Sequence, residues 1–285
     1  GIKGCVISFR TKLLYINNHK EETMLKIIEH HSASAGNTFI DCPHMWIIEK
    51  LYGFETEENA RMKMGHTAEE AAHHALVNQI TDEKLITSDA KGKYIERNGA
   101  TIDDEYEWSA KIANTFVKEL KQYGKLIHYQ REYNGPYKDL ALPVVAKTDF
   151  EFNDYIVDTK ATAKVWRYAA TKAEKNQGKK GRINHNYHPK PDHLRQQFLY
   201  RELFNKECLL LYASAWDTHT ADLGDHVGCL ETLIQAFKSI EHILGIAKTK
   251  EDVVRMFPLT FDNWRWKYSP GAESFARKIW QNAWK

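Results

Sequence analysis

The chain has 285 residues, 42% of them hydrophobic, which is enough for one large domain or a domain with a helical extension. Its 40 Lys and Arg nearly balance its 38 Asp and Glu, and the net charge of +2 excludes a protein that coats nucleic acid over its whole surface. No stretch approaches transmembrane length and no signal peptide is visible, so we expect no membrane partner.

The N-terminal half is predicted to be largely helical. Residues 4–16 resemble a short strand. Ser32 or Ser34 can cap a helix that ends near Gly53. Residues 57–80 form a second predicted helix and residues 103–122 a third, which Gly124 can terminate.

After residue 124 the hydrophobic pattern changes from helical to strand-like. Residues 126–129, 141–145 and 147–160 are predicted strands, and residues 192–205 are a predicted helix. Residues 208–212 form an apolar run typical of a buried strand reached by a helical crossover. Further helices are predicted at 227–244 and 272–284. We therefore expect one α/β domain over residues 1–285, with a small mixed sheet flanked by helices.

Residues 147–160 predict a β-hairpin with Asn153-Asp154 as its turn, since both residues tolerate positive φ. The resulting pairs are Phe152 with Tyr155, Glu151 with Ile156, Phe150 with Val157, and Asp149 with Asp158. Alternation then places Asp149, Glu151, Ile156, Asp158 and Lys160 on one face, and Phe150, Phe152, Tyr155 and Val157 on an apolar face. Like charges directly opposite each other repel, so this pair needs a compensating cation.

That cation is either Lys160 or a bound divalent metal. Mg²⁺ takes one or two carboxylates together with water and phosphate, and the carbonyl of Thr159 could add a third ligand. A metal-bound water can attack a phosphodiester, and Lys160 could orient it, take its proton or stabilise the developing charge. The alternative is a surface hairpin in which Lys160 only neutralises the aspartates.

The second predicted helix carries Gly65, His66, Glu69 and His73, of which positions 66, 69 and 73 share a face. Glu69, with His66 or His73, could complete a metal shell. The alternatives are exposed Glu–His pairs four residues apart, or a zinc site, although no H-E-x-x-H motif supports zinc.

Two further features suggest contacts with a nucleic-acid strand. Gln196 and Tyr200 share one helical face and could donate to phosphate, although burial is the common role of such residues. Residues 164–190 are basic and predict a mobile loop that neutralises phosphates, with a solvated charged loop as the alternative. Its basic residues include Lys172, Lys175, Lys179, Lys180 and Arg182.

The four cysteines, at positions 5, 42, 208 and 229, are widely separated and contain no C-x-x-C. This spacing indicates free thiols in a reducing compartment, such as the cytoplasm of a bacterium or of a virus-infected host cell. It does not favour a zinc site or an iron–sulfur cluster.

These pieces occur in a specific order: G-x-x-x-E on a helix, D-x8-D-x-K on a hairpin, then Q-x-x-x-Y on a crossover helix. In this order the sequence resembles the PD-(D/E)XK nuclease superfamily, in particular its RecB-like and lambda-exonuclease-like branches. The resemblance spans about residues 32–215. It implies a restriction-endonuclease-like core with extra N- and C-terminal helices, residues 216–285 forming a helical extension.

The resemblance also implies roles for individual residues. Asp149, Asp158 and the Thr159 carbonyl would bind Mg²⁺ or Mn²⁺, Lys160 would be the catalytic lysine, and Glu69 would match the helix glutamate of the lambda-like branch. Gln196 and Tyr200 would match a motif associated with binding a DNA strand. His66 follows the glycine directly and so departs from the RecB-type pattern. The cysteine spacing departs from that of the iron–sulfur relatives, so no such cluster is expected.

The sequence therefore predicts a metal-dependent deoxyribonuclease, and specifically an exonuclease, whose partner is single-stranded DNA or a duplex end. Recombination, repair and viral genome processing all fit, with a homo-oligomer or a recombination protein as a possible partner. Two alternatives remain open: a non-catalytic DNA-binding or scaffold subunit with the same fold, and a zinc-dependent hydrolase that uses the Glu and His helix.

Overall fold

The computed structural model describes residues 28–99, 102–163, 171–178, 189–224, 226 and 228–285. The strand predicted at 4–16, and Lys179, Lys180 and Arg182 of the basic segment, lie outside the described residues. Within the described ranges, no helix combines the length and the apolar character needed to cross a membrane.

Apart from one short strand near residue 31, the described strands lie between residues 128 and 222, with helices before, within and after this range. The helices are α1 (Ala33–Asp41), α2 (Pro43–Trp46), α3 (Ala60–Val77), α4 (Glu83–Asn98), α5 (Asp104–Leu120), α6 (Lys172–Asn176), α7 (Pro191–Phe204), α8 (Gly228–Ile246), α9 (Lys250–Met256) and α10 (Ala272–Ala283). The strands are β1 (His31–Ser32), β2 (His128–Tyr129), β3 (Glu132–Gly135), β4 (Val144–Lys147), β5 (Phe150–Glu151), β6 (Tyr155–Ala161), β7 (Glu207–Ala213) and β8 (Thr218–Asp222).

The chain divides into two compact units. The first contains the described residues up to 57, together with 134–145 and 231–285, and the second contains residues 58–133 and 146–230. In the first unit, the Ser32 hydroxyl caps α1 by accepting the Ala35 amide at 3.2 Å, as predicted. The helix predicted to run on to Gly53 is interrupted, because Pro43 cannot donate the amide that a continuous helix needs.

The second unit is built on a five-stranded mixed sheet with the order β2-β5-β6-β7-β8. Strands β6 and β7 are parallel and are joined through α7, so the predicted buried strand and its helical crossover are confirmed. In this register Asp158 lies beside Leu210 and Lys160 beside Tyr212. The predicted α/β class, a small mixed sheet flanked by helices, is confirmed.

The hairpin of β5 and β6 has the predicted register. Phe150 pairs with Val157 and Glu151 with Ile156, and the Phe152 amide donates to the Tyr155 carbonyl at 2.8 Å across the turn. Tyr155 contacts Tyr123, which also contacts Phe152, so Tyr155 lies on the predicted apolar face although it is 36% exposed beside the turn.

Helices α3, α4 and α5 supply the apolar cluster that covers one face of this sheet. Helix α3 contributes mainly small side chains, namely Ala68, Ala71, Ala72 and Ala75, which allow its backbone to approach closely. The sheet contributes Phe150, Phe152 and Val157. Helix α4 was not predicted, because its buried residues Ile86, Ala90 and Tyr94 are separated by charged and polar side chains. Strands β3 and β8 and helix α9 were also not predicted.

Candidate active site

Two aspartates, the buried Asp158 and the partly exposed Asp149, meet where β5 and β6 pair. Asp158 lies within β6 and is 1% exposed. Asp149 lies just before β5, and its Oδ2 accepts the Thr159 amide at 2.8 Å and the Thr159 hydroxyl at 3.3 Å. The two carboxyl groups are close enough for the charge of Asp149 to raise the pKa of Asp158. The structure therefore brings together the two acidic groups that the hairpin pattern pairs.

Burial makes both aspartates weak acids. Burial, with Glu69 as the second cause, raises the pKa of Asp149 to about 6. Burial, followed by the neighbouring charge of Asp149, raises the pKa of Asp158 to about 7. Near neutral pH the pair therefore holds a proton readily, and a cation that enters the site competes with that proton.

Lys160 forms an ion pair with Asp158, two residues before it on β6. Burial by itself favours the neutral amine, but the carboxylates of Asp158 and Asp149 outweigh it and raise the pKa of Lys160. The side chain is 23% exposed, so the ammonium group remains charged while it reaches the surface of a cavity.

Glu69 on α3 is held by hydrogen bonds from the β2 region. The Tyr129 hydroxyl donates to Glu69 Oε1 at 3.1 Å, and Gln130 Nε2 donates to the Tyr129 hydroxyl at 3.1 Å. The Tyr129 ring stacks on His73, with centroids 3.8 Å apart and planes at 12°. Burial raises the pKa of Glu69, and the charge of Asp158 adds to that effect. Sequence reasoning missed Tyr129 and Gln130 as site residues, because Tyr129 lies 60 positions from Glu69 in the sequence.

A cavity of about 570 Å³ opens beside these groups. Its charged and polar lining residues include Arg61, His66, Glu69, Asp149, Thr159, Lys160, Lys190, His193 and Tyr212. Gly65 also lines it; a Cβ there would meet Ala161 at 3.4 Å, which is an ordinary contact, so packing alone does not require glycine at this position. The cavity is therefore lined by the carboxylates of Glu69 and Asp149 together with cationic side chains.

The histidines of α3 have partners other than a shared metal. These contacts are His66 Nδ1 to Glu58 at 2.7 Å, His73 stacked on Tyr129, and His74 Nδ1 to Asp89 at 3.1 Å. A zinc site that combines them with Glu69 has no support in this geometry.

The donor chemistry of the aspartate pair fits a hard divalent cation. Among the described residues, no three His, Cys, Asp or Glu side chains converge closely enough to form a ready-made metal cage. Asp149 and Asp158 nevertheless offer carboxylate oxygens that repel each other, and Mg²⁺ requires only one or two carboxylates from a protein. Asp149, Asp158 and the Thr159 carbonyl are the groups that would hold it, with Glu69 beside them.

The two residues of the Q-x-x-x-Y motif contact each other and the protein backbone. Tyr200 is 3% exposed; its hydroxyl donates to the Lys147 carbonyl at 2.6 Å and accepts from Gln196 Nε2 at 2.8 Å. These contacts fix the strand that leads into Asp149. Of the basic segment, the structure describes Lys172 and Lys175, which are exposed on α6, and Lys190, which lines the cavity.

Sequence reasoning also missed His193 and Tyr212. His193 Nδ1 lies 2.9 Å from the Tyr212 hydroxyl. His193 could have been noticed, because it lies three residues before Gln196 on the same helix. Tyr212 could not, because only the parallel register places it beside Lys160.

No protein-family model and no curated protein matches the chain. Among solved structures, the chain is similar to the crystal structure of "Putative exonuclease" from Eubacterium rectale. The TM-score is 0.50 and the identity 12%, and the alignment covers 95% of this chain and 100% of that chain. At this identity the similarity concerns the fold alone, which is a mixed α/β fold that this chain shares over nearly its whole length.

Proposed function

We propose that the chain is a metal-dependent deoxyribonuclease that degrades DNA from an end. The observation that carries this proposal is the group of two aspartates and one lysine on paired strands, with Glu69 beside them; Asp149, Lys160 and Glu69 line an open cavity. An excess of buried negative charge lowers the stability of a fold, and ionisable groups with shifted pKa values cluster at functional sites. The fold similarity to a protein named as an exonuclease is consistent with the proposal.

Asp149 and Asp158, with the Thr159 carbonyl, would hold Mg²⁺ or Mn²⁺. When bound, such an ion lowers the pKa of a water and shields phosphate charge. The protein's own contribution is to keep the two carboxylates fixed. The Thr159 amide and hydroxyl hold Asp149, and the Tyr200 hydroxyl holds the strand that precedes it.

Lys160 would act as a charged donor to the phosphate. In the metal-free protein the carboxylates of Asp158 and Asp149 raise the pKa of Lys160, so the amine is charged before a cation binds. An ammonium group beside the scissile phosphate stabilises the negative charge that develops on the phosphoryl oxygens. Of the three roles that the sequence allowed for Lys160, the contacts favour this one.

The strand would enter along the cationic side of the cavity. Arg61 and Lys190 line it, and the exposed Lys172 and Lys175 add positive charge on α6. Arginine and lysine bind phosphates without reading bases, so we expect little dependence on sequence and a strong dependence on salt.

The test compares a circular duplex, a linear duplex and single strands labelled at either end, each with Mg²⁺, Mn²⁺ or EDTA. We expect loss of linear but not circular DNA, with no cleavage in EDTA. Equal cleavage of circles would exclude the requirement for an end. Cleavage that persists in EDTA would exclude metal dependence, and DNA binding without cleavage under all conditions would identify a non-catalytic subunit.

A further inference from the structure

The cavity carries a histidine beside Lys160 that the aspartate and lysine group does not require. His193 lies in the first turn of α7, and Tyr212 lies on β7 next to Lys160 in the parallel register. The Tyr212 hydroxyl is 2.9 Å from His193 Nδ1, and both side chains line the cavity. A polar pair at this position lies close to where a substrate phosphate would meet Lys160.

The direction of the hydrogen bond between Tyr212 and His193 sets which nitrogen of His193 carries the proton. A tyrosine hydroxyl is a stronger acid than a neutral imidazole N–H, so the hydroxyl is the expected donor to His193 Nδ1. A neutral imidazole has one donor and one acceptor nitrogen, so Nδ1 as acceptor leaves the proton on Nε2.

The surroundings keep this imidazole neutral. Burial, followed by the positive charge of Lys160, lowers the pKa of His193 well below its ordinary value. Within the described part of the chain, no protein group accepts a hydrogen bond from Nε2. A cavity-lining N–H without a protein acceptor is available to a ligand.

We propose that His193 Nε2–H donates a hydrogen bond to a non-bridging phosphate oxygen of the DNA strand, and that Tyr212 is the positioning residue that fixes this tautomer. A neutral donor suits this place, since Lys160 and Lys190 already supply positive charge. The inference deepens the proposed nuclease function and depends on it for the identity of the ligand.

The test uses substitutions that reproduce one ring nitrogen or the other. The amide nitrogen of Gln in His193→Gln can approach the position of Nε2, whereas that of Asn in His193→Asn approaches Nδ1. We expect His193→Ala and His193→Asn to lower kcat/KM on linear DNA about 10- to 100-fold, mainly by raising KM, as for a lost hydrogen bond to a charged group. His193→Gln should recover most of this loss. His74→Ala, outside the cavity, is the matched control.

Two measurements do not depend on cleavage. Anisotropy of a labelled single-stranded oligonucleotide in EDTA should show weaker binding by His193→Asn than by His193→Gln. Long-range ¹H–¹⁵N spectra of the imidazoles should show the Nε2–H form for His193 and a shift toward mixed tautomers in Tyr212→Phe. If the wild type binds the oligonucleotide but cuts no DNA, the nuclease proposal fails while the His193 contact still stands.

Three results would overturn the inference. One is equal cleavage and binding by the Ala, Asn, Gln and wild-type proteins. Another is a better rescue by Asn than by Gln, which would assign the contact to Nδ1. The third is an equal loss in all three variants together with a lower melting temperature, which would make His193 a structural residue.

Discussion

Two carboxylates of the same sheet are equally buried but have opposite surroundings. Glu151 on β5 and Asp158 on β6 are each 1% exposed. Glu151 Oε1 lies 2.7 Å from Arg131 Nη1 and 2.7 Å from Lys206 Nζ. Asp158 has the ammonium group of Lys160 but faces the carboxyl group of Asp149.

The two carboxylates differ in how completely nearby cations balance their negative charge. Two cations surround one carboxylate at Glu151, so this site has no need of a further cation. Asp149, Asp158 and Glu69 share Lys160, so that site keeps an excess of negative charge that a metal could neutralise. Burial alone therefore does not identify the reactive acid; the local balance of charge does.

The largest expected effect comes from removing Lys160, and removing Lys206 from the other site is the comparison. Lys160→Ala should lower kcat on linear DNA about 10³-fold or more, because it removes a donor to the developing phosphoryl charge. The fold should persist, since the remaining aspartates can take up a proton. Lys206→Ala is the matched control: it removes one of the two cations beside Glu151 and should leave kcat near that of the wild type. Gel assays and circular dichroism check both variants; comparable rates would contradict the assignment.

Glu151→Ala should affect stability rather than chemistry. It leaves Arg131 and Lys206 without their shared carboxylate, and because Arg131 is 44% exposed and can be solvated, the loss should be about 1–3 kcal/mol. Urea denaturation measures the loss, and activity per folded molecule should remain. A large fall in kcat with unchanged stability would show that Glu151 belongs to the reactive group.

The sequence predicts these two sites to different degrees. The turn at Asn153-Asp154 fixes the register of β5 and β6, so the meeting of Asp149 and Asp158 could be predicted from a short segment. Glu151 was placed on the same face, but its cations come from Arg131, on the segment between β2 and β3, and from Lys206, before β7. A local pattern carries no information about such long-range partners.

The same reason explains the missed parts of the candidate site. Tyr129 reaches Glu69 across 60 positions of sequence, and Tyr212 meets His193 only because β7 lies parallel to β6. The helix and strand pattern predicted the α/β class, because apolar periodicity is local. It missed α4, whose buried side is narrow and surrounded by charge.

Divalent cations should stabilise the protein in a pH-dependent way. The pKa values of Asp149 and Asp158 are raised to about 6 and about 7, so protons occupy the pair at pH 5 and leave it by pH 8. A cation at about 100 times its Kd adds about 2.7 kcal/mol. We therefore expect Mn²⁺ to raise the melting temperature at pH 8 and to have much less effect at pH 5. Lys160→Ala should bind Mn²⁺ at least as tightly, and an equal Mn²⁺ effect at both pH values would contradict this assignment.

The smallest effect is a gain in stability that comes with a loss of function. In Asp149→Asn the amide oxygen can still accept from Thr159, while the amide nitrogen can donate to Asp158 instead of repelling it. Removing one of two opposed charges should stabilise the metal-free protein by about 1 kcal/mol at pH 8. A carboxyl group with a raised pKa destabilises the fold fully above that pKa, so the gain should shrink as the pH falls from about 6 toward 3.8. Melting temperatures in EDTA at pH 8 and pH 5 measure it. If Asp149→Asn is less stable than the wild type at pH 8, the two aspartates do not oppose each other, and Asp158 is as fully compensated as Glu151.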